Sequence, residues 1–197
     1  MSSSTPSPRG PGYGLLALVW VLLALVADRA AAADPAGLCR SVPCRPTKKI
    51  KLRVEEGQVL KTKAPRTPYV HEGAVQIIPG ETLYIEAEVD GDRLINLRRV
   101  KRPQKPKVTL ELRLQQPGKA RADLGMMLTI GNPFKRALRY KASFLPAGAD
   151  DPASAIPKPT STCPIAPRMK SHESWPHPIL RLYLSDFILV DTEGPCA

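Results

Sequence analysis

Val108-Thr109-Leu110-Glu111-Leu112-Arg113-Leu114 alternates apolar and polar residues without a break. A period of two puts the valine and the three leucines on one side of a strand and Thr109, Glu111 and Arg113 on the other. One side is therefore buried and the other is wet. The stretch stops at Pro117-Gly118, a pair that ends a strand and turns the chain.

The same pattern recurs in both directions from this segment. Downstream, Leu124, Met126, Leu128 and Ile130 share a side, Gly131-Asn132-Pro133 turns the chain, and Leu138, Tyr140, Ala142 and Phe144 share the next. Met126 and Met127 read as one core and one surface position. Upstream, Ile50, Leu52 and Val54 alternate with Lys49, Lys51 and Arg53, and Glu55-Glu56-Gly57 turns the chain toward a short strand at Val59–Lys63. Val75, Ile77 and Ile78 stop at Pro79-Gly80. Leu83, Ile85, Ala87 and Val89 alternate with Thr82, Tyr84, Glu86 and Glu88, which places the glutamates on an outer face. Asp90-Gly91-Asp92 is a hairpin signal, with a return strand from Arg93 to about Val100. In the last strand, Leu180, Leu182 and Leu184 share a face, but Phe187 and Leu189 are one residue out of step. A β-bulge near Ser185-Asp186 would return both halves to the core.

Twenty-two prolines and the lack of any long amphipathic helical pattern argue against a helical bundle. Seven to nine short strands with regular turns predict an all-β, antiparallel, immunoglobulin-like β-sandwich. Residues 126–144, with Asn-Pro between two alternating strands, resemble the late strands of immunoglobulin-like exported domains. That resemblance implies architecture alone.

The N-terminus carries an address. Arg9 precedes Leu15–Ala27, a run of 13 apolar residues, and small residues Ala30–Ala33 follow Asp28-Arg29. This is the order of a secretory signal peptide, with cleavage expected after Ala33. The run is too short for a spanning helix, which needs about 20 residues, so no stable transmembrane span is expected after cleavage. The expected organisation is a signal peptide at 1–33, an extended arm at 34–48 with a cysteine pair, and a sandwich domain at 49–197. The expected location is periplasmic or secreted.

Cys39, Cys44, Cys163 and Cys196 make an even set in an exported chain, which predicts two disulfides. Three pairings are open. A pairing of Cys39 with Cys44 and of Cys163 with Cys196 would contribute roughly 2 and roughly 4 kcal/mol by loop closure. The spacing does not match the short-spaced pairs of structural zinc sites, so no metal is assigned to them.

The formal charge is +11, and loss of Arg9, Arg29 and Asp28 with the leader leaves +10. The densest positive run is Arg98-Arg99-Val100-Lys101-Arg102-Pro103-Gln104-Lys105-Pro106-Lys107, with six cations and no acid. The ordinary reading is a solvated face. The functional reading, centred on Arg98, Arg99, Lys101 and Arg102, is an anionic polymer or lipid headgroup of the envelope. No aromatic residue in the run would stack a base, so nucleic acid is not a partner.

Residues 146–178 hold eight prolines and read as a long irregular loop, tied at Cys163. His172-Glu173-Ser174-Trp175-Pro176-His177 falls short of the zinc-protease motif, because the histidines are five apart and Pro176 forbids the helix. Met169, His172 and His177 have the thioether and imidazole chemistry of a copper site. Trp175 reads either as a cap on the core or as an exposed anchor for a partner. No nucleophile, base and orienting group can be named together, so no catalytic residue and no cofactor is expected.

The leading expectation is therefore a non-enzymatic, exported binding or accessory domain of the cell envelope. Its contact surface would be 146–178, through Trp175, His172 and His177. Two alternatives stand beside it. One is a periplasmic copper-binding protein using Met169, His172 and His177. The other is a binder of anionic envelope components through residues 98–107.

Overall fold

The computed structural model describes residues 35–118, 124–148, 155–192 and 194–196. The signal peptide expected at 1–33 lies outside the described residues. Among the described residues, no helix is long and apolar enough to cross a membrane.

The fold is all-β and antiparallel, with the packing of a sandwich. After one helical turn at Pro35–Leu38, the strands run β1 Cys44–Arg45, β2 Lys48–Glu55, β3 Gln58–Ala64, β4 Thr67–Pro68, β5 Val70–His71, β6 Ala74–Ile77, β7 Glu81–Asp90 and β8 Arg93–Val100. They continue with β9 Thr109–Gln115, β10 Met126–Gly131, β11 Ala137–Pro146, β12 Lys158–Thr160, β13 Lys170–Trp175 and β14 Ile179–Val190.

The main sheet follows the order β12-β11-β14-β8-β7-β9-β10-β13, and β5 and β6 add to the free stretch of β14. The path is nearly broken at one point. β14 meets β8 through a single register pair, Ile188 with Arg93. On one side of that joint lie β8, β7, β9, β10 and β13, and on the other β14, β11, β12, β6 and β5. Inner residues of both arms share one core cluster. In β9 the predicted face is fully covered: Leu110, Leu112 and Leu114 are each 0% exposed. Complete burial of such side chains contributes about 1.5–3 kcal/mol apiece.

Local chemistry sets the joints. Gly91-Asp92 forms the two-residue β7–β8 turn, with Gly91 at φ +60° where a Cβ would be strained. The slip foreseen in β14 is present. Arg139 pairs with Ile188 but Lys141 pairs with Ser185, so one residue of β11 faces two of β14. Asp186 takes φ +50° there and pairs with Lys141 at 2.9 Å. The extra residue restores Phe187 and Leu189 to the core.

β10 and β11 are successive but unpaired. The chain crosses between arms at Gly131-Asn132-Pro133, and Asn132 holds the crossing. Its Oδ1 accepts the Phe134 N–H at 2.9 Å, and its Nδ2 donates toward the carbonyls of Arg136, Ile165 and Ala166 at 2.9–3.0 Å.

Val89, expected inward, is 46% exposed and Thr109, expected on the wet side of β9, is buried; two larger features also differ from the sequence reading. Within 146–178, the described residues from 155 onward are more ordered than their prolines imply. They contain β12, which pairs with β11, and β13, which extends the sheet beside β10. Ile165 also bridges Leu138 in both directions, at 2.8 and 2.9 Å. The prolines are accommodated because these are short edge pieces, where a missing N–H breaks no central ladder. The second difference is at Glu86. It occupies the outer face of β7 but is buried, under an ion pair to Arg98 at 2.6 Å.

β2 and β3 form a two-stranded ribbon of their own. Its inner residues Ile50, Leu52 and Ala64 join the core cluster. The side-chain amide of Gln116 stands in for a neighbouring strand. It accepts from the Arg53 backbone N–H at 2.9 Å and donates to the Arg53 carbonyl at 3.0 Å.

Candidate functional site

The first disulfide sets up a charged centre. Cys39–Cys44 closes a five-residue step that ties the start of β1 to the segment after the helical turn, and β1 pairs with β4. Arg45, next to Cys44 on β1, is 1% exposed. Its Nε lies 3.3 Å from Glu81 Oε1, its Nη1 donates to Thr67 Oγ1 at 3.4 Å, and its Nη2 donates to the Gln76 carbonyl. Glu81 is held by the Ile78 N–H at 3.0 Å. Burial pulls the Arg45 guanidinium below its ordinary value, and the Glu81 charge opposes that pull.

Tyr69 gathers two cations. The guanidinium carbons of Arg45 and Arg99 lie 5.1 and 4.9 Å from its ring centroid, within cation–π range. A cleft of about 570 Å³ opens beside this stack, lined by Val42, Pro43, Tyr69, His71, Leu94 and Arg99 among others. His71 Nε2 lies 3.7 Å from Glu72 there.

The basic run thus divides. Arg98 and Arg99, expected to face a partner, are engaged within the protein, Arg98 with Glu86 and Arg99 with Tyr69. Lys101, Arg102, Lys105 and Lys107 lie on the β8–β9 connection, where all four are exposed. None of them makes an ion pair among the described residues.

The four cysteines pair as Cys39–Cys44 and Cys163–Cys196, with no free thiol. Such bonds fit an oxidising extracellular or periplasmic compartment. Cys163 is further positioned by its N–H, which donates to Glu173 Oε1 at 3.2 Å. Tyr140 donates to the same oxygen at 3.4 Å. Burial first, then the charge of Glu173 and the hydrogen bond to it, pushes the Tyr140 phenol above its ordinary value.

The residues singled out in 146–178 take separate positions. Trp175 is 7% exposed, pairs with Met126 and donates Nε1–H to Thr160 Oγ1 at 2.9 Å. It caps the core, so the exposed-anchor reading is corrected: packing of β13 on β10 turns the indole inward. His172 is exposed in mid-strand, with Nδ1 3.1 Å from Thr129 Oγ1 on β10. His177 lies past the end of β13 with its ring 4.8 Å from Phe144 on β11. Met169 is 58% exposed and precedes β13. The two histidines thus contact strands that are not neighbours in the sheet. Among the described residues, no group of three His, Cys, Asp or Glu side chains is placed to hold a metal.

Sequence reasoning missed Arg45, because it stands in a segment that reads as a tether. The adjoining Cys44 was the available signal: a residue beside a disulfide in an otherwise polar arm is held in place. No known family model, curated protein or solved structure matches the chain.

Proposed function

We propose that the chain is an exported, non-enzymatic binding domain, an accessory of the cell envelope that is periplasmic or secreted. Its sandwich is read as immunoglobulin-like, on the crossing at Gly131-Asn132-Pro133 between the two arms. Its partner is an anionic envelope component, met through the β8–β9 connection.

One observation carries this reading. Lys101, Arg102, Lys105 and Lys107 are exposed on one short connection without an acidic partner among the described residues. The strands on either side are anchored, β8 by the Arg98–Glu86 pair and β9 by its buried leucines. A cationic loop on a rigid base is a surface for recognition rather than for packing.

The test has two parts. Fractionation, intact mass and thiol titration should find the protein outside the cytosol, shortened by the leader and without reactive thiols. The purified protein should then sediment with washed envelope membranes at low salt and be released as salt rises. The variant K101Q/R102Q/K105Q/K107Q should sediment more weakly. Full-length reduced protein retained inside the cell, or binding that does not respond to salt, refutes the proposal.

A further inference from the structure

The register of the β2–β3 ribbon places Lys49 directly opposite Lys63 and Lys51 directly opposite Lys61. All four lysines are exposed. Ile50, paired with Thr62 between the lysine pairs, and Leu52, paired with Leu60 beyond them, are in the alternate phase, and Ile50 and Leu52 join the core. The outer face is therefore a grid of four ammonium groups, two rows of two. Residues of one row are about 6.6 Å apart along the strand and the rows are about 5 Å apart.

Folding alone does not ask for this grid. Like charges directly opposite each other on a sheet are destabilising, and any polar residue would satisfy the alternation. Among the described residues, no acidic side chain pairs with any of the four. The grid is also held rigidly. Gln116 clamps the backbone of Arg53, and Lys48 Nζ donates to the Gly80 carbonyl at 3.0 Å, so the face keeps one orientation on the domain.

The shape of the face selects the occupant. It is an open strand surface with charge spread in two dimensions, not a groove that would track a single polymer strand. It carries no aromatic side chain for stacking a base. Val59, in the same outward phase as Lys61 and Lys63, is 50% exposed. A two-dimensional array of cations, with an apolar residue beside Lys61 along the strand, complements a sheet of phosphate headgroups.

We propose that the outer face of the β2–β3 ribbon docks the protein on an anionic phospholipid surface through Lys49, Lys51, Lys61 and Lys63. This rests on the reading of the chain as an envelope-binding domain, and it names both a second site and the partner's chemistry.

The exported form is sedimented with vesicles of mixed phosphatidylglycerol and phosphatidylcholine, and with vesicles of phosphatidylcholine alone. Binding is expected only to the first. At roughly fivefold per basic residue near an anionic surface, K49Q/K51Q/K61Q/K63Q should weaken partitioning on the order of several hundredfold. The all-arginine variant should retain binding, and the glutamine variant should melt no lower than wild type, because like-charge pairs have been removed. The proposal is overturned if the glutamine variant sediments like wild type or melts well below it. Binding to soluble polyphosphate but not to the vesicles also overturns it. If K101Q/R102Q/K105Q/K107Q abolishes envelope binding while the ribbon variant has no effect, this inference falls and the broader proposal stands. If the wild type binds neither vesicles nor envelope, both fall.

Discussion

Replacing Arg45 with methionine keeps an unbranched apolar stem reaching about as far as Nε and removes the guanidinium and its charge. The consequence follows from what the guanidinium holds. Glu81 is 8% exposed and would be left with one donor, the Ile78 N–H at 3.0 Å. The Gln76 carbonyl and the Thr67 hydroxyl would each lose a donor, and Tyr69 would keep only Arg99. Breaking a buried pair from one side costs about 3–5 kcal/mol, because the remaining charge is stranded. In a domain of this size each kcal/mol moves Tm by about 2–4 °C, so Arg45→Met should lower Tm by about 6–20 °C. The assay is denaturant and thermal unfolding without reductant, so that both disulfides stay closed. R45M/E81Q should recover at least half of the loss, since a pair replaced on both sides is often near neutral. The reasoning is refuted if R45M unfolds within about 1 kcal/mol of wild type, the range of ordinary substitutions. It is equally refuted if the double variant is no more stable than the single one.

Three further outcomes are expected. Asn132→Ala should cost about 1–3 kcal/mol, because the buried Phe134 N–H loses its acceptor and the Arg136, Ile165 and Ala166 carbonyls each lose one donor. Asn132→Asp should be worse, because an acceptor would then face three carbonyls, and chemical unfolding ranks the two. Opening Cys163–Cys196 by serine replacement should cost about 4 kcal/mol, and opening Cys39–Cys44 about 2 kcal/mol, because the closed loops span 33 and 5 residues. Equal losses would show that loop closure is not the governing term. Finally, the raised Tyr140 phenol makes the folded state favour the protonated form, so its contribution is intact below the ordinary tyrosine value near pH 10 and declines above it. Stability measured against pH should fall on the alkaline side, and Tyr140→Phe should flatten that fall.

The strand interiors and the slip in β14 are legible because both are local. The alternation in Leu110–Leu114 names its buried face whatever it packs against, and Leu184 followed by Phe187 announces an extra residue before any partner is known. The even cysteine set predicts oxidation in the same way, since it needs only the compartment. The sites are less legible. Lys49 and Lys51 are visibly outward from their own strand, but the grid exists only once Lys61 and Lys63 stand opposite them. Trp175 offers two readings until Met126 is its neighbour, and Arg98 belongs to a free cationic run until Glu86 lies beneath it.

Composition and period therefore determined the class of fold, the inward residues of the main strands, the crosslinking chemistry and the excess of positive charge. Each depends on a residue and its near neighbours along the chain. The pairing of the disulfides, the ordering of 158–175 against distant strands and the burial of Arg45 with Glu81 came from the assembled chain. Those contacts join residues tens of positions apart, and a charge or an indole takes its role from what tertiary packing brings beside it.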